Sequence, residues 1–342
     1  MRASSFPRRT TRGRGGVRCG AWLTAGLLAW GLLLPWAFPV AAEPEARVAV
    51  EERATSPRPQ KPPAATRPPA RQQTEREPAQ RIDIEATYYR QPALVETALK
   101  ALQPRTANAA NLYFVGFAAF AGQDVFRREV TATRELFDKS FGTRGHSLLL
   151  INHRETLDAV PLASASNLEA VLKGVGARMD READVLFLFL TSHGTEGLLA
   201  VDFGRFFLNN LTPERLDGML QRSGIRNAVI VVSACHSGSF LPALRGLNRV
   251  VIAAARADRT SFGCSSERAW TYFGDAYFNH ALRETASFAK AFERAKDLVG
   301  QWEKAEKYLP SEPQISIGAQ IGDKLAAIEK RVASLRAAQA GE

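Results

Sequence analysis

Five short apolar blocks constrain this chain more than any other feature. They lie at 111–117, 147–151, 185–190, 228–232 and 250–254, and two read Val185-Leu-Phe-Leu-Phe-Leu190 and Ala228-Val-Ile-Val-Val232. None alternates apolar with polar, so each is expected to be a strand buried on both faces. Between them run stretches with helical spacing at 125–140, 167–179, 213–222 and 267–282. The third is well punctuated: Thr212 can cap it, Pro213 suits its first position and Gly224 can close it. A short helix at 93–102 precedes the series. Amphipathic helices at 286–308 and 321–338 end it, the second with Ile321, Leu325, Ile328, Val332 and Leu335 on one stripe. Residues 313–317 between them read as a last short strand. Such alternation predicts an α/β fold, a mostly parallel sheet covered by helices on both faces. No internal repeat is evident.

The net charge of +10 invites a nucleic-acid reading, but its distribution excludes one. Residues 1–82 hold 14 Lys+Arg against 6 Asp+Glu, leaving the remainder near neutral, with no basic cluster interleaved with aromatics. The first eighteen residues carry six arginines and no acid, and from Cys19 to Ala42 there is no charge at all. A basic flank before an apolar run is an export signal, and 1–42 is expected to be a cleaved signal peptide or a membrane anchor. Val40-Ala41-Ala42 offers a small-residue cleavage site, and the apolar run is long enough to span a bilayer, which takes about 20 residues. Eight of the eighteen prolines fall in 43–82, which reads as a linker with little to bury. The folded domain is expected to occupy 83–342, beginning near Ile84. The export signal implies a periplasmic location, free or anchored to the cytoplasmic membrane and facing the periplasm.

Three cysteines are too few for a disulfide framework, and Cys19 lies in the targeting segment. Cys235 and Cys264 leave two options, a single bridge or free thiols. A free thiol in an oxidising compartment suggests use.

The chemistry gathers at two block ends. One runs into Thr191-Ser192-His193-Gly194, the other into Ser233-Ala234-Cys235-His236-Ser237-Gly238. Active sites of open parallel sheets lie beyond the carboxyl ends of the strands. If the two strands are neighbours, an imidazole and a thiol meet there, as nucleophilic catalysis requires. Backbone N–H groups of Gly194 and Cys235 could then receive an oxyanion. Either end alone is commonplace, since a His-Gly is often a capped turn and a buried cysteine often a small core residue. The pair is far more specific.

This pairing resembles the legumain-like cysteine peptidases of family C13, relatives of caspases, over roughly 85–320. Thr195-Glu196-Gly197-Leu198-Leu199 is similar to the family's hairpin entrance. Asp258-Arg259-Thr260-Ser261-Phe262-Gly263-Cys264 resembles the loop lining its specificity pocket. Thr271-Tyr272-Phe273-Gly274-Asp275-Ala276-Tyr277 resembles a stretch of legumain itself. The resemblance implies a caspase-like fold with a six-stranded, mainly parallel sheet. It also implies an exported bacterial-type peptidase that acts on peptide or protein through a thioester on Cys235, with His193 as acid and base. No cofactor and no metal are implied. Arg127 (with Arg128 as rival), Ser261 and Asp275 are the implied substrate-binding residues, for Asn or Asp before the cut. Two departures bear on that specificity: Ser233 stands where legumain has an acid, and Val125 where the family has an asparagine supporting the histidine. A transpeptidase or ligase using the same acyl-enzyme, and a non-catalytic caspase-like binding module, are the alternatives.

Overall fold

The computed structural model describes residues 82–340, so the expected signal or anchor (1–42) and all but the last residue of the expected linker (43–82) lie outside the described residues. The sheet holds β1 (Leu112–Ala118), β2 (Ser147–Ile151), β3 (Val185–Thr191), β6 (Asn227–Ser233), β7 (Arg249–Ala253) and β8 (Gln314–Ile317). A two-residue hairpin, β4 (Gly194–Thr195) and β5 (Leu198–Leu199), follows β3. The order across the main sheet is β2-β1-β3-β6-β7-β8. All neighbours run parallel except β7 and β8. The strand order reverses between β1 and β3, and such a switch point opens a crevice at the carboxyl ends of the strands.

Burial on both faces explains the unbroken apolar runs. Alternate residues of one strand enter opposite cores: Leu112, Phe114 and Ala118 one, Tyr113, Val115 and Phe117 the other. On the first face lie α2 (Val125–Ser140), α8 (Phe288–Ala305) and α9 (Gly322–Ala340), and on the second α1 (Ile84–Lys100), α3 (Ala165–Gly176), α4 (Pro213–Ser223) and α5 (Leu241–Leu244). Phe137 stands at the centre of the first face, 4.4 Å from Phe187 and 6.3 Å from Phe288 between ring centroids. Each of these fully buried rings contributes about 1.5–3 kcal/mol relative to exposure.

Helix ends follow their capping residues. Thr212 caps α4, Pro213 opens it and Gly224 closes it at φ 73°. The helix expected at 93–102 begins at Ile84 instead, capped by Asp83. The Gln91 side chain donates to the Thr87 carbonyl within this helix, which carries Pro92 in its interior. The helix expected at 267–282 starts late. Thr271 caps α6 (Tyr272–Gly274), a π-wound stretch follows over Asp275–Ala281, and α7 (Leu282–Glu284) ends the segment. Helical spacing alone did not register the cap. Among the described residues no helix is long and apolar enough to cross a membrane.

Candidate active site

Register decides the site. Thr191 of β3 pairs with Ser233 of β6, and the Ser192 N–H extends the ladder to the Ser233 carbonyl. His193 and Cys235 therefore each stand two residues beyond a paired position, on adjacent strand tips. Gly194 packs directly on the second tip: a Cβ there would come within 2.6 Å of the Cys235 carbonyl oxygen. Only glycine allows that approach.

The turn after Cys235 is built to hold the thiol outward. His236 adopts the left-handed conformation at φ 57°, which costs a non-glycine residue roughly 1–2 kcal/mol. The surroundings impose it: the His236 N–H donates to the Arg259 carbonyl, and its Nδ1 lies 2.9 Å from the Ala257 carbonyl. Ser237 and Gly238 then pin the following 3-10 turn to the end of β7. The Ser237 hydroxyl accepts from the Ala255 N–H, and the Gly238 N–H donates to the Ala255 carbonyl. A Cβ on Gly238 would lie 2.6 Å from the Ala257 nitrogen. The Cys-x-Ser-Gly spacing is thus the spacing of a strand-to-turn elbow.

Cys235 is half-buried, and its sulfur lies against Ser261. The Ser261 N–H donates to Sγ at 3.3 Å. Sγ in turn lies 3.4 Å from the Ser261 carbonyl. Among the described residues no acceptor meets the Cys235 amide. In the hairpin the bond runs from the Ala200 N–H to the His193 carbonyl, flanking the Gly194–Leu199 pair, so the ladder's alternation leaves the Gly194 amide unused. Cys264 is a second free thiol in a different environment: burial pushes it up to about 12, with the charges of Cys235 and Glu129 adding to the rise. It is held protonated and inert.

His193 stands between the edges of Phe120 and Phe126, at ring-centroid distances of 4.6 and 5.3 Å. Burial lowers its pKa below the usual histidine range, so the ring is a neutral base at pH 7. Its Nε2 lies 2.5 Å from Gln123 Oε1. An amide oxygen only accepts, so this bond places the proton on Nε2 and leaves Nδ1 as the basic nitrogen. Nothing in the sequence marks Gln123 for this role; the family position for the histidine's support is occupied by Val125. Val125 is fully buried in the core, and the amide comes from two residues earlier, in the loop after β1. The imidazole's hydrogen bond goes to Gln123 and those of the thiol to Ser261, so the two side chains, carried on adjacent strand tips, share no direct bond.

The remaining expected contacts disperse. Ser261 lies on the sulfur, as described. Arg127 is held by Asp124 at 2.6 and 3.0 Å and reaches Glu155 at 3.5 Å. Arg128 pairs with the same Asp124. The Asp275 carboxyl accepts from Asn279 one turn on and lies near His280. Arg127 and Asp275 thus each have local partners and do not pair with one another. Among the described residues no cluster of ligating side chains could hold a metal ion.

A sequence model of the peptidase C13 family matches residues 162–323, the stretch containing His193, Gly194, Cys235, Ser261 and Asp275. This stretch belongs to the peptidase C13 family. Membership makes it a domain of the cysteine-peptidase type. Gln123, Arg127 and Glu129 fall before the matched C13 residues. No curated protein matches the chain significantly. Among solved structures, the crystal structure of caspase-1 from Spodoptera frugiperda is similar over 63% of this chain and 92% of that chain, with 13% identity and a TM-score of 0.43.

Proposed function

We propose that the protein is a cysteine endopeptidase in which Cys235 attacks the peptide carbonyl and His193 serves as acid and base. The observation that carries this reading is the Thr191–Ser233 register, which sets a half-buried thiol beside a neutral imidazole at the carboxyl edge of the sheet. His193 takes the Cys235 proton as the sulfur attacks the carbonyl and passes it to the amine as the C–N bond breaks and the thioester remains; the imidazole then takes a proton from the attacking water and returns it to the sulfur as the acid leaves. The Gly194 and Cys235 amides supply donors for the oxyanion. The residue before the cut is proposed to be Asn or Asp, with Arg127 as donor and Asp275 as acceptor. For that, Arg127 must exchange part of its pairing with Asp124 for substrate.

The test is cleavage of otherwise identical peptides with Asn, Asp, Arg or Leu before the scissile bond, with products read by mass spectrometry. Cleavage abolished by Cys235→Ala supports the nucleophile, whereas preference for Arg or Leu removes the Asn/Asp pocket. Products joined to an added peptide amine would mark a transpeptidase. The basic and then apolar N-terminus further supports action outside the cytoplasm. A reporter fused after Glu342 that works only in the cytoplasm would refute this.

A further inference from the structure

Directly beneath the two strand tips lies an acid that the mechanism above does not use. Glu129, on α2, is fully buried. Its Oε2 accepts from the Thr191 hydroxyl at 2.6 Å, and its Oε1 from the Thr271 hydroxyl at 2.6 Å. Thr191 is two residues before His193. Thr271 caps α6 through the Gly274 N–H, and its hydroxyl also lies 3.2 Å from the hydroxyl of Ser233, two residues before Cys235. One carboxyl therefore joins the β3 tip, the start of the Asp275 helix and, through one more hydroxyl, the β6 tip. The packing is tight: a Cβ on Gly274 would overlap Glu129 Oε1.

We propose that Glu129 is a positioning residue of the Cys235–His193 centre, whose carboxyl clamps both strand tips and the Thr271 cap into one arrangement. The proposal rests on the peptidase reading of those two residues. Ionised, the carboxylate accepts from both hydroxyls and the clamp is complete. Protonated, it must itself donate, and one of the two short bonds reverses. Burial raises Glu129 to about 7, with the charge of Asp275 adding to the rise and the two threonines opposing it, so the change falls in the working range of a peptidase. Of the other charged groups nearby, Asp124, Arg127 and Arg128 on the first turns of α2 pair among themselves, and Cys264 stays protonated. The arginines of α9 engage Asn111 and Phe141, and β1 and β2 add no charged side chain on this face. Beyond the tips, His193 carries no charge at neutral pH.

The test uses the full chain, following peptide turnover and the rate of Cys235 alkylation by iodoacetamide from about pH 5 to 9. For Glu129→Gln we expect kcat above neutral pH to fall roughly 10- to 100-fold, as for small misplacements of catalytic groups, with KM nearly unchanged. The wild-type alkylation profile should show a limb near neutrality that is missing in Glu129→Gln. Unchanged kcat and an unchanged limb would overturn the clamp. Should Glu129→Gln fail to fold, Thr191→Val keeps the carboxyl and removes one donor, so the limb should move to higher pH. A limb that stays put in that variant also overturns it. Failure of the peptidase reading looks different: wild type would cleave no peptide while the alkylation limb remained.

Discussion

Replacing Glu129 by glutamine should change how stability depends on pH, by an amount set by its burial. The carboxyl rises from 4.5 when solvated to about 7 in the fold. Between those values the folded chain keeps a proton that the unfolded chain has lost, so wild-type stability falls as pH rises through this window and levels off above it. A difference of about 2.5 units corresponds to roughly 3 kcal/mol. Glutamine is neutral at every pH and has the same shape. With Oε1 toward Thr271 and its amide N–H toward Thr191, it holds the two threonines as the protonated carboxyl does, with the Thr191 bond reversed. The stability of Glu129→Gln relative to wild type should therefore grow by about 3 kcal/mol between pH 4.5 and 7.5. His193, whose lowered pKa acts in the opposite direction, is common to both proteins and cancels. Urea unfolding followed by tryptophan fluorescence, in parallel series at several pH values, measures the difference. A flat difference across the window would show that Glu129 is ionised in the folded protein at all these pH values and would refute the reasoning.

Cys235→Ala should abolish turnover by several orders of magnitude while leaving the unfolding midpoint nearly unchanged, whereas Cys264→Ala should keep substantial activity. The reverse pattern in a peptide-cleavage assay would show that the nucleophile is misassigned. Gln123→Ala should reduce kcat about 10- to 100-fold with a small change in KM, because the imidazole loses its tautomer-fixing partner, and Gln123→Asn should recover less than half of it; steady-state kinetics decides. At the opposite end of the sheet, buried Asp184 binds Arg105 and both the backbone and side-chain amides of Asn111. Asp184→Ala strands these donors and should cost about 3–5 kcal/mol by urea unfolding, with little effect on the activity of the folded fraction.

The strands and the two tips were legible in the sequence because a strand buried on both faces must be continuously apolar, and the residues after it then stand out as polar. The 147–151 block coincides with β2, and the 125–140 stretch with α2. Helix ends without an apolar signature were less legible. Nothing in the spacing of 267–282 shows that Thr271 caps the helix, because its hydroxyl serves Gly274 and Glu129 at once, and the second partner is 142 residues away. The same holds for the support of the site. In sequence, Glu129 is one charged residue in a helix rich in charge, and only the fold shows that it faces two threonines rather than water. His146 has no motif around it in the sequence, yet it is buried edge-on against Tyr113 with its Nε2 on the Pro104 carbonyl.

The reacting groups and their supports differ in kind. His193 and Cys235 lie on adjacent strands, so local pattern and sheet topology suffice to bring them together. Gln123 acts from the loop after β1, which has no periodic pattern, whereas Glu129 falls on the buried stripe of α2 with Val125, Phe126, Val130 and Thr133, a stripe that does not record which polar groups the acid meets. The resemblance marked position 125 as a departure, a valine where the family has an asparagine supporting the histidine; that valine is core, and the amide that meets the ring is two residues earlier. If Gln123 supports the histidine in place of the family's asparagine, swapping Val125→Asn into the wild-type chain should gain nothing. It would bury an amide with no partner at a fully apolar position, at a cost of about 1–3 kcal/mol. Steady-state kinetics of Val125→Asn in the Gln123→Ala background would then show no rescue, and recovery of turnover there would return the supporting role to position 125.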